Sequence, residues 1–266
     1  MRVKLLCVGD VVGSCGRRAL TNSLAAIVQE HRIACTIVNA ENIASGSGIT
    51  PNLYQRLIRS GVDLITLGDH IYRRREIVPV LESSDRMVKP ANFPPEAPGR
   101  EFAIWQTQDG ARVAVFSLLG RLYMKPVLDC PFRAADRVLS KLPSDVRIIV
   151  CDMHAEATSE KVAMGWHLEG RVSLVVGTHT HIPTADDRVL PGGTGYVTDL
   201  GMTGPYDSVL GRDKQRVLQS MVTGVPTRFE VADGEGTVSG VVAEVDNQTG
   251  RCTHIERIRH VHRAVS

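Results

Sequence analysis

The sequence predicts an α/β fold in which two mixed β-sheets pack together with helices outside. Three observations predict it. Short apolar, β-branched runs recur, and each stops in a small or polar cluster. Helix-like segments separate the first of these runs, as in a chain of βαβ crossovers. Two further stretches read as antiparallel strands and extend the parallel ones into mixed sheets.

The elements follow in order. VKLLCVGD (3–10) is the first strand, with helical spacing from 17 to 31 behind it. ACTIVNAEN (34–42) is the second, and Thr50-Pro51 opens a helix over 51–60, since proline suits the first helical turn. VDLITLGDH (62–70) leads to a helix over 74–83. EFAIWQTQDGARVAVFSLLG is a hairpin about Asp109-Gly110. A helix over 131–142 feeds the strand of VRIIVCDMH, placed at 146–151. VSLVVGTHTH and TGYVTDLG are two more strands, and 226–258 reads as a strand meander with glycine-rich turns. No linker, repeat or low-complexity segment divides the chain, so 1–266 is expected to form a single domain.

Composition narrows the function classes. Hydrophobic residues make up 43% and charged residues 23%, as in a soluble globular protein. A net charge of +2 argues against a dedicated nucleic-acid surface. The short basic runs Arg73-Arg74-Arg75 and HIERIRHVHRAV read as solvated surface. Six cysteines with no C-x-x-C pair fit a reducing compartment. The start MRVKLLCV is too short for a signal segment, and no run approaches the roughly 20 apolar residues of a membrane span. The expected location is the cytoplasm.

The candidate chemistry lies at the strand ends, where α/β sheets bind ligands. Following the apolar runs come Asp10, Glu41-Asn42, Asp69-His70, His154, and then His179 and His181 one residue apart. Singly, each has a plain reading: Asp10 as a helix cap, Asn42 as a turn residue, His154 as a satisfied buried histidine. Together, oxygen and imidazole donors suit ions such as Mn, Fe or Zn. They are too many for one tetrahedral ion and suit two ions sharing a carboxylate. His31, His167, His254, His260 and His262 lack this setting and read as structural or surface groups. Ser45 to Gly48 resembles a phosphate loop, but without G-K-S/T or a dinucleotide fingerprint it carries little weight.

The ordered set GDVVG, NAEN, LGDH, VCDMH and GTHTH, with KPANFP and TDLGMTGP, resembles the calcineurin-like metallophosphoesterase superfamily. More closely it is similar to the YmdB-type branch of cyclic-nucleotide phosphodiesterases, over nearly the whole length. The resemblance implies an αββα sandwich and two metal ions. Asp10, Glu41, Asn42 and His181 would hold one; Glu41 would bridge to the other, completed by Asp69, His154 and His179. His70 matches the branch's proton donor. Two departures stand out: the superfamily's Asp-x-His opening is absent at Asp10-Val11-Val12, and Asp69 replaces the Asn that usually precedes the donor histidine.

The implied reaction is hydrolysis of a 2′,3′- or 3′,5′-cyclic nucleotide to a nucleoside monophosphate, with Fe or Mn favoured and Zn admitted. A phosphomonoesterase or nucleotidase with the same centre is the alternative within enzymes. A regulatory protein that binds a nucleotide or an RNA-processing partner is the alternative outside them; turnover needs His70 and binding does not. The expected partner is a small cyclic nucleotide, no membrane is expected, and a homo-oligomer is admitted.

Overall fold

The computed structural model describes residues 2–262. One six-stranded sheet contains β1 (Arg2–Val8), β2 (Cys35–Asn39), β3 (Leu64–Thr66), β10 (Gly204–Pro205), β11 (Gly236–Asp246) and β12 (Cys252–His262). The second contains β4 (Phe102–Gln106), β5 (Arg112–Leu119), β6 (Ile148–His154), β7 (Leu174–Thr178), β8 (Arg188–Val189) and β9 (Gly195–Val197). Strands β1, β2 and β3 run parallel, as do β5, β6, β7 and β9. Antiparallel strands flank both groups, so the sheets are mixed.

The apolar runs lack a polar alternation because both faces of these strands are covered. Leu5 and Cys7 of β1 point between the sheets, against Val115, Val150 and Val176 of the second. Leu6 and Val8, one step out of phase, meet Leu20, Leu24 and Ile27 of α1 (Gly13–His31) and Leu57 of α2 (Pro51–Arg59). On the far side, Phe116, Met153 and Val175 meet Ala134 and Val138 of α4 (Pro131–Lys141) and Met164 and Leu168 of α5 (Thr158–Leu168). The result is an αββα sandwich with three apolar interfaces.

Several elements differ from expectation. α1 begins at Gly13 rather than 17, with Val12 at its N-cap and no side-chain cap, so Asp10 does not cap it. The 74–83 segment is a short 3₁₀ turn (Arg75–Ile77) running into α3 (Val78–Ser83). β6 continues past 151 to His154. Residues 226–235 form no regular strand; β11 and β12 alone make the C-terminal hairpin. α5 and α6 (Lys214–Thr223) have no counterpart among the expected helices. The six cysteines are free thiols, and no described helix is long and apolar enough to cross a membrane.

Candidate metal centre

The parallel strands of both sheets deliver their carboxyl ends to one place. β1 leads to Asp10, β2 to Glu41 and Asn42, β3 to Asp69 and His70, β6 ends in His154, and β7 leads to His179 and His181. Glu41, Asp69, His154 and His179 each bring one donor atom to within 4.8 Å of the others, a group able to hold a metal ion. His154 Nε2 is 3.0 Å from Asp69 Oδ1, 3.4 Å from Glu41 Oε1 and 3.1 Å from His179 Nδ1. Only a backbone without a side chain fits beneath them: a Cβ on Gly68 would lie 2.3 Å from His154 Nε2 and 2.4 Å from Glu41 Oε2.

A second group gathers around Asn42. Its Nδ2 is 3.1 Å from Glu41 Oε1, 3.4 Å from Asp10 Oδ1 and 3.2 Å from His181 Nε2. Its Oδ1 is 2.7 Å from His70 Nδ1. The amide therefore touches His70 with one end and the remaining donors with the other. All the strand-end residues singled out in the sequence meet here, and the other histidines do not. His31 and His254 face Glu256 at the surface, and His167 faces Asp136.

The GTHTH loop has a local cause. A Cβ at Gly177 would lie 1.7 Å from Thr198 O, so β7 must carry glycine to approach β9's end. Thr180, between the two histidines, is tied down: its amide and hydroxyl both donate to Asp199 Oδ2, at 3.2 and 2.7 Å. His179 and His181 then adopt φ of 96° and 66°, a left-handed backbone that is costly for histidine. Pinning the middle residue turns the flanking imidazoles toward different partners. Asp199 is itself buried against Lys161 Nζ at 2.6 Å, and both side chains are 1% exposed.

Beneath the cluster lies Asp152, which accepts from Thr66 Oγ1 at 2.5 Å, Thr178 Oγ1 at 2.6 Å and Asn39 Nδ2 at 3.1 Å. Burial raises the Asp152 carboxyl above its usual range even against these donors and the charge of His154. Asp152 and Asp199 escape a reading for strand-end ligands because each lies inside a run that is otherwise apolar or glycine-rich. A lone carboxylate in such a run is the signal that could have found them.

Electrostatics bind the cluster together. Burial lowers the His154 pKa, but the charge of Glu41 and hydrogen bonds with Asp69 and Glu41 outweigh it and raise His154 well above 6.5. Burial raises Glu41 and Asp69, but His154 outweighs it for both, with His179 adding to the effect at Asp69, and both carboxyls end below their usual range. Without metal, the imidazolium of His154 thus sits where a cation is wanted.

Known proteins share this fold and much of this sequence. The sequence profile of the YmdB-like protein family matches residues 6–258. The chain belongs to the YmdB-like family. A Bacillus subtilis (strain 168) relative, the 2′,3′-cyclic-nucleotide 2′-phosphodiesterase, is 44% identical over 256 residues, 96% of each chain. The crystal structure of a hypothetical protein from Thermus thermophilus matches with a TM-score of 0.89 and 38% identity, covering 98% of this chain and 100% of that one. A novel phosphatase from Mycoplasma pneumoniae matches with a TM-score of 0.92 and 32% identity, covering 98% and 94%. YmdB-like relatives thus share the αββα frame throughout.

Proposed function

We propose that this chain is a metal-dependent phosphodiesterase that opens 2′,3′-cyclic nucleotides at the 2′ ester. The observation that carries the reading is the pair of donor groups sharing Glu41, with His70 beside both. Name and fold of the relatives support the same chemistry. The donor set, carboxylates and imidazoles, fits divalent transition ions, and Mn or Fe suits it, with Zn admitted. Glu41, Asp69, His154 and His179 would hold one ion, and Asp10, Glu41, Asn42 and His181 a second. Two such ions neutralise phosphate charge and make hydroxide available near neutral pH.

The chain's own side chains do the rest. His70 is part-exposed at the mouth of the site and has its Nε2 3.6 Å from Asp69 Oδ2 and its Nδ1 on Asn42. It would give a proton to the leaving 2′ oxygen, a role histidine commonly fills. The Asn42 amide has nearly the same shape either way round. With an ion held among Asp10, Glu41 and His181, the amide oxygen would turn toward the ion and the nitrogen would donate to His70 Nδ1. That would keep the transferable proton on His70 Nε2. A cleft of about 350 Å³ lies over these groups, walled by Val209, Leu210, Val217, Met221 and Phe229, and gives a nucleoside an apolar surface.

The test is one sample loaded with Mn or Fe(II) and assayed by elemental analysis and by turnover of 2′,3′- and 3′,5′-cyclic nucleotides, with p-nitrophenyl phosphate as the monoester control. The reading expects about two ions per chain and fastest turnover of the 2′,3′-cyclic diester. One ion at most after loading would overturn the dinuclear centre, and a preference for the monoester would overturn the diesterase.

A further inference from the structure

Beside the metal-site cleft lies a second cavity, of about 220 Å³, lined by Arg17, Arg212 and Arg228 together with Ser14 and Ser45. Arg212 and Phe229 line both spaces, so they form the wall between them. The turn from Asn42 to Gly46 forms the floor of that wall: Gly46 N donates to Asn42 O at 3.0 Å, and Arg212 Nη2 donates to Gly46 O at 2.6 Å. Arg17 leans on the same turn through Nη1 to Ile43 O at 3.4 Å. The Ser45–Gly48 segment thus borders an arginine-lined cavity.

None of the three guanidiniums has a carboxylate partner among the described residues, and Arg228 makes no hydrogen bond or ion pair there. The single carboxylate lining the cavity, Glu230, is engaged by Arg216 at 3.3 Å. Burial, and then the charges of Arg56 and Arg18, lower the Arg17 pKa, which marks the neighbourhood as positive. Solvated arginines on an open surface would be unremarkable, but Arg17 and Arg212 are part-buried. Three guanidiniums against one carboxylate that Arg216 already engages leave the concavity net positive, which matches an anion, and arginine forks suit phosphate.

We propose that this cavity holds a second phosphate, the 5′ phosphate of the nucleotide whose cyclic phosphate lies at the metal centre. The inference rests on the phosphodiesterase reading above and narrows its substrate class. The 5′ and 2′,3′ positions lie at opposite ends of a ribose, so one nucleotide presents its two phosphates on either side of the sugar. The two cavities adjoin at Arg212 and Phe229, and the sugar of such a nucleotide would lie over that boundary. Phe229, 40% exposed at the wall, and Met221, 73% exposed, give the base a surface on which to stack. The substrate is therefore a 5′-phosphorylated 2′,3′-cyclic nucleotide, either free or as the 3′ end of an RNA strand.

The test compares three substrates on the metal-loaded enzyme: a 2′,3′-cyclic mononucleotide, the same with a 5′ monophosphate, and a dinucleotide ending in the same cyclic phosphate. The wild type should prefer a 5′-phosphate-bearing substrate in kcat/KM by roughly tenfold or more, the scale of charged hydrogen bonds. Arg228→Ala, at an exposed position, should remove that preference and leave the unphosphorylated substrate within about twofold. Arg17→Ala should do the same and guards against an effect peculiar to one variant. Calorimetric titration gives a readout without turnover: a nucleoside 3′,5′-bisphosphate should bind more tightly than the 3′-monophosphate, by a margin that shrinks with salt and in Arg228→Ala. A preference confined to the dinucleotide assigns the cavity to RNA ends, and one confined to the monoester assigns it to free nucleotides. Equal kcat/KM for all three substrates in the wild type, or equal loss on all three in the variants, would overturn the subsite. If the wild type turns over none of them, the diesterase reading fails, while the bisphosphate titration still decides whether the cavity binds a second phosphate.

Discussion

The Thr178 hydroxyl lies 2.8 Å from His154 Nδ1 and settles which ring nitrogen faces the metal-site carboxylates. Thr178 gives its own proton to Asp152 Oδ1 at 2.6 Å, so it can only accept from His154. Nδ1 therefore carries a hydrogen, and Nε2 points at Glu41, Asp69 and His179. The chain Asp152–Thr178–His154 is a buried support beneath a candidate ligand, and supports of this kind tune metal affinity where the imidazole binds an ion.

Thr178→Val keeps the shape and removes the acceptor. Metal affinity, measured by competition with a chelator, should fall about 10–100-fold. Thr178→Ser should restore it. Unchanged affinity in the valine variant would show that His154 needs no such support.

His70→Ala should leave metal content intact and cut turnover of a cyclic nucleotide by roughly two to four orders of magnitude, the range for a lost general acid. With p-nitrophenolate as leaving group the loss should be smaller, because that oxygen needs little protonation. The comparison of the two substrates by kcat is the measurement. Equal losses would remove His70 from the donor role.

Loading metal at neutral pH should eject protons. In the metal-free protein the raised His154 pKa keeps that imidazole charged above pH 6.5. Its contribution to stability is full below 6.5 and is lost as pH rises through the higher folded value. The lowered Glu41 and Asp69 carboxyls act the other way: their contribution is full above the ordinary 4.5 and 3.8 and is lost as pH falls through the folded values. A ligating imidazole must be neutral, so ion binding at pH 7 displaces the His154 proton. Calorimetry in buffers of different ionisation enthalpy should find about one proton or more released per chain. None released at pH 7 would mean that His154 is already neutral.

How much of this was legible in the sequence depended on what each residue does. Strands β1, β2, β3, β6 and β7 were visible because two buried faces leave continuous apolar runs, and the groups after them fell at one edge because those strands are parallel. α5 was hidden because its inner face includes Glu160 and Lys161, charges that break the apolar stripe. α6 was hidden for the opposite reason, since Leu218, Met221 and Val222 lie on its exposed side and blur the period. The supports Asp152, Thr178 and Asp199 bind through other side chains and carry no ligand spacing; a lone carboxylate in its run marks the two aspartates, while Thr178 shows its role only in the folded arrangement.

Asp199 separates fold from site. Asp199→Ala strands the buried Lys161 charge, and the loss of one partner of such a pair should cost about 3–5 kcal/mol and lower the melting temperature by roughly 6–20 °C. Adding Lys161→Met removes the orphan charge and should recover most of that loss. Metal affinity should stay low in the double variant, because Thr180 has lost its anchor and the two histidines their orientation. Recovery of metal affinity along with stability would show that the loop holds its shape unaided.

The final expectation concerns Asp69, which directly precedes the candidate donor His70. Its Oδ1 is 3.0 Å from His154 Nε2 and 3.4 Å from His179 Nδ1, and its Oδ2 is 3.6 Å from His70 Nε2. One carboxylate thus faces both the candidate ligands and the candidate acid. As a ligand it removes a unit of positive charge from the centre relative to Asn, which strengthens ion retention and leaves bound water less acidic. Asp69→Asn should therefore weaken metal binding and move the acidic limb of the pH profile of kcat/KM to lower pH, because water on a more positive centre ionises sooner. No change in either would mean that Asp69 is not a ligand.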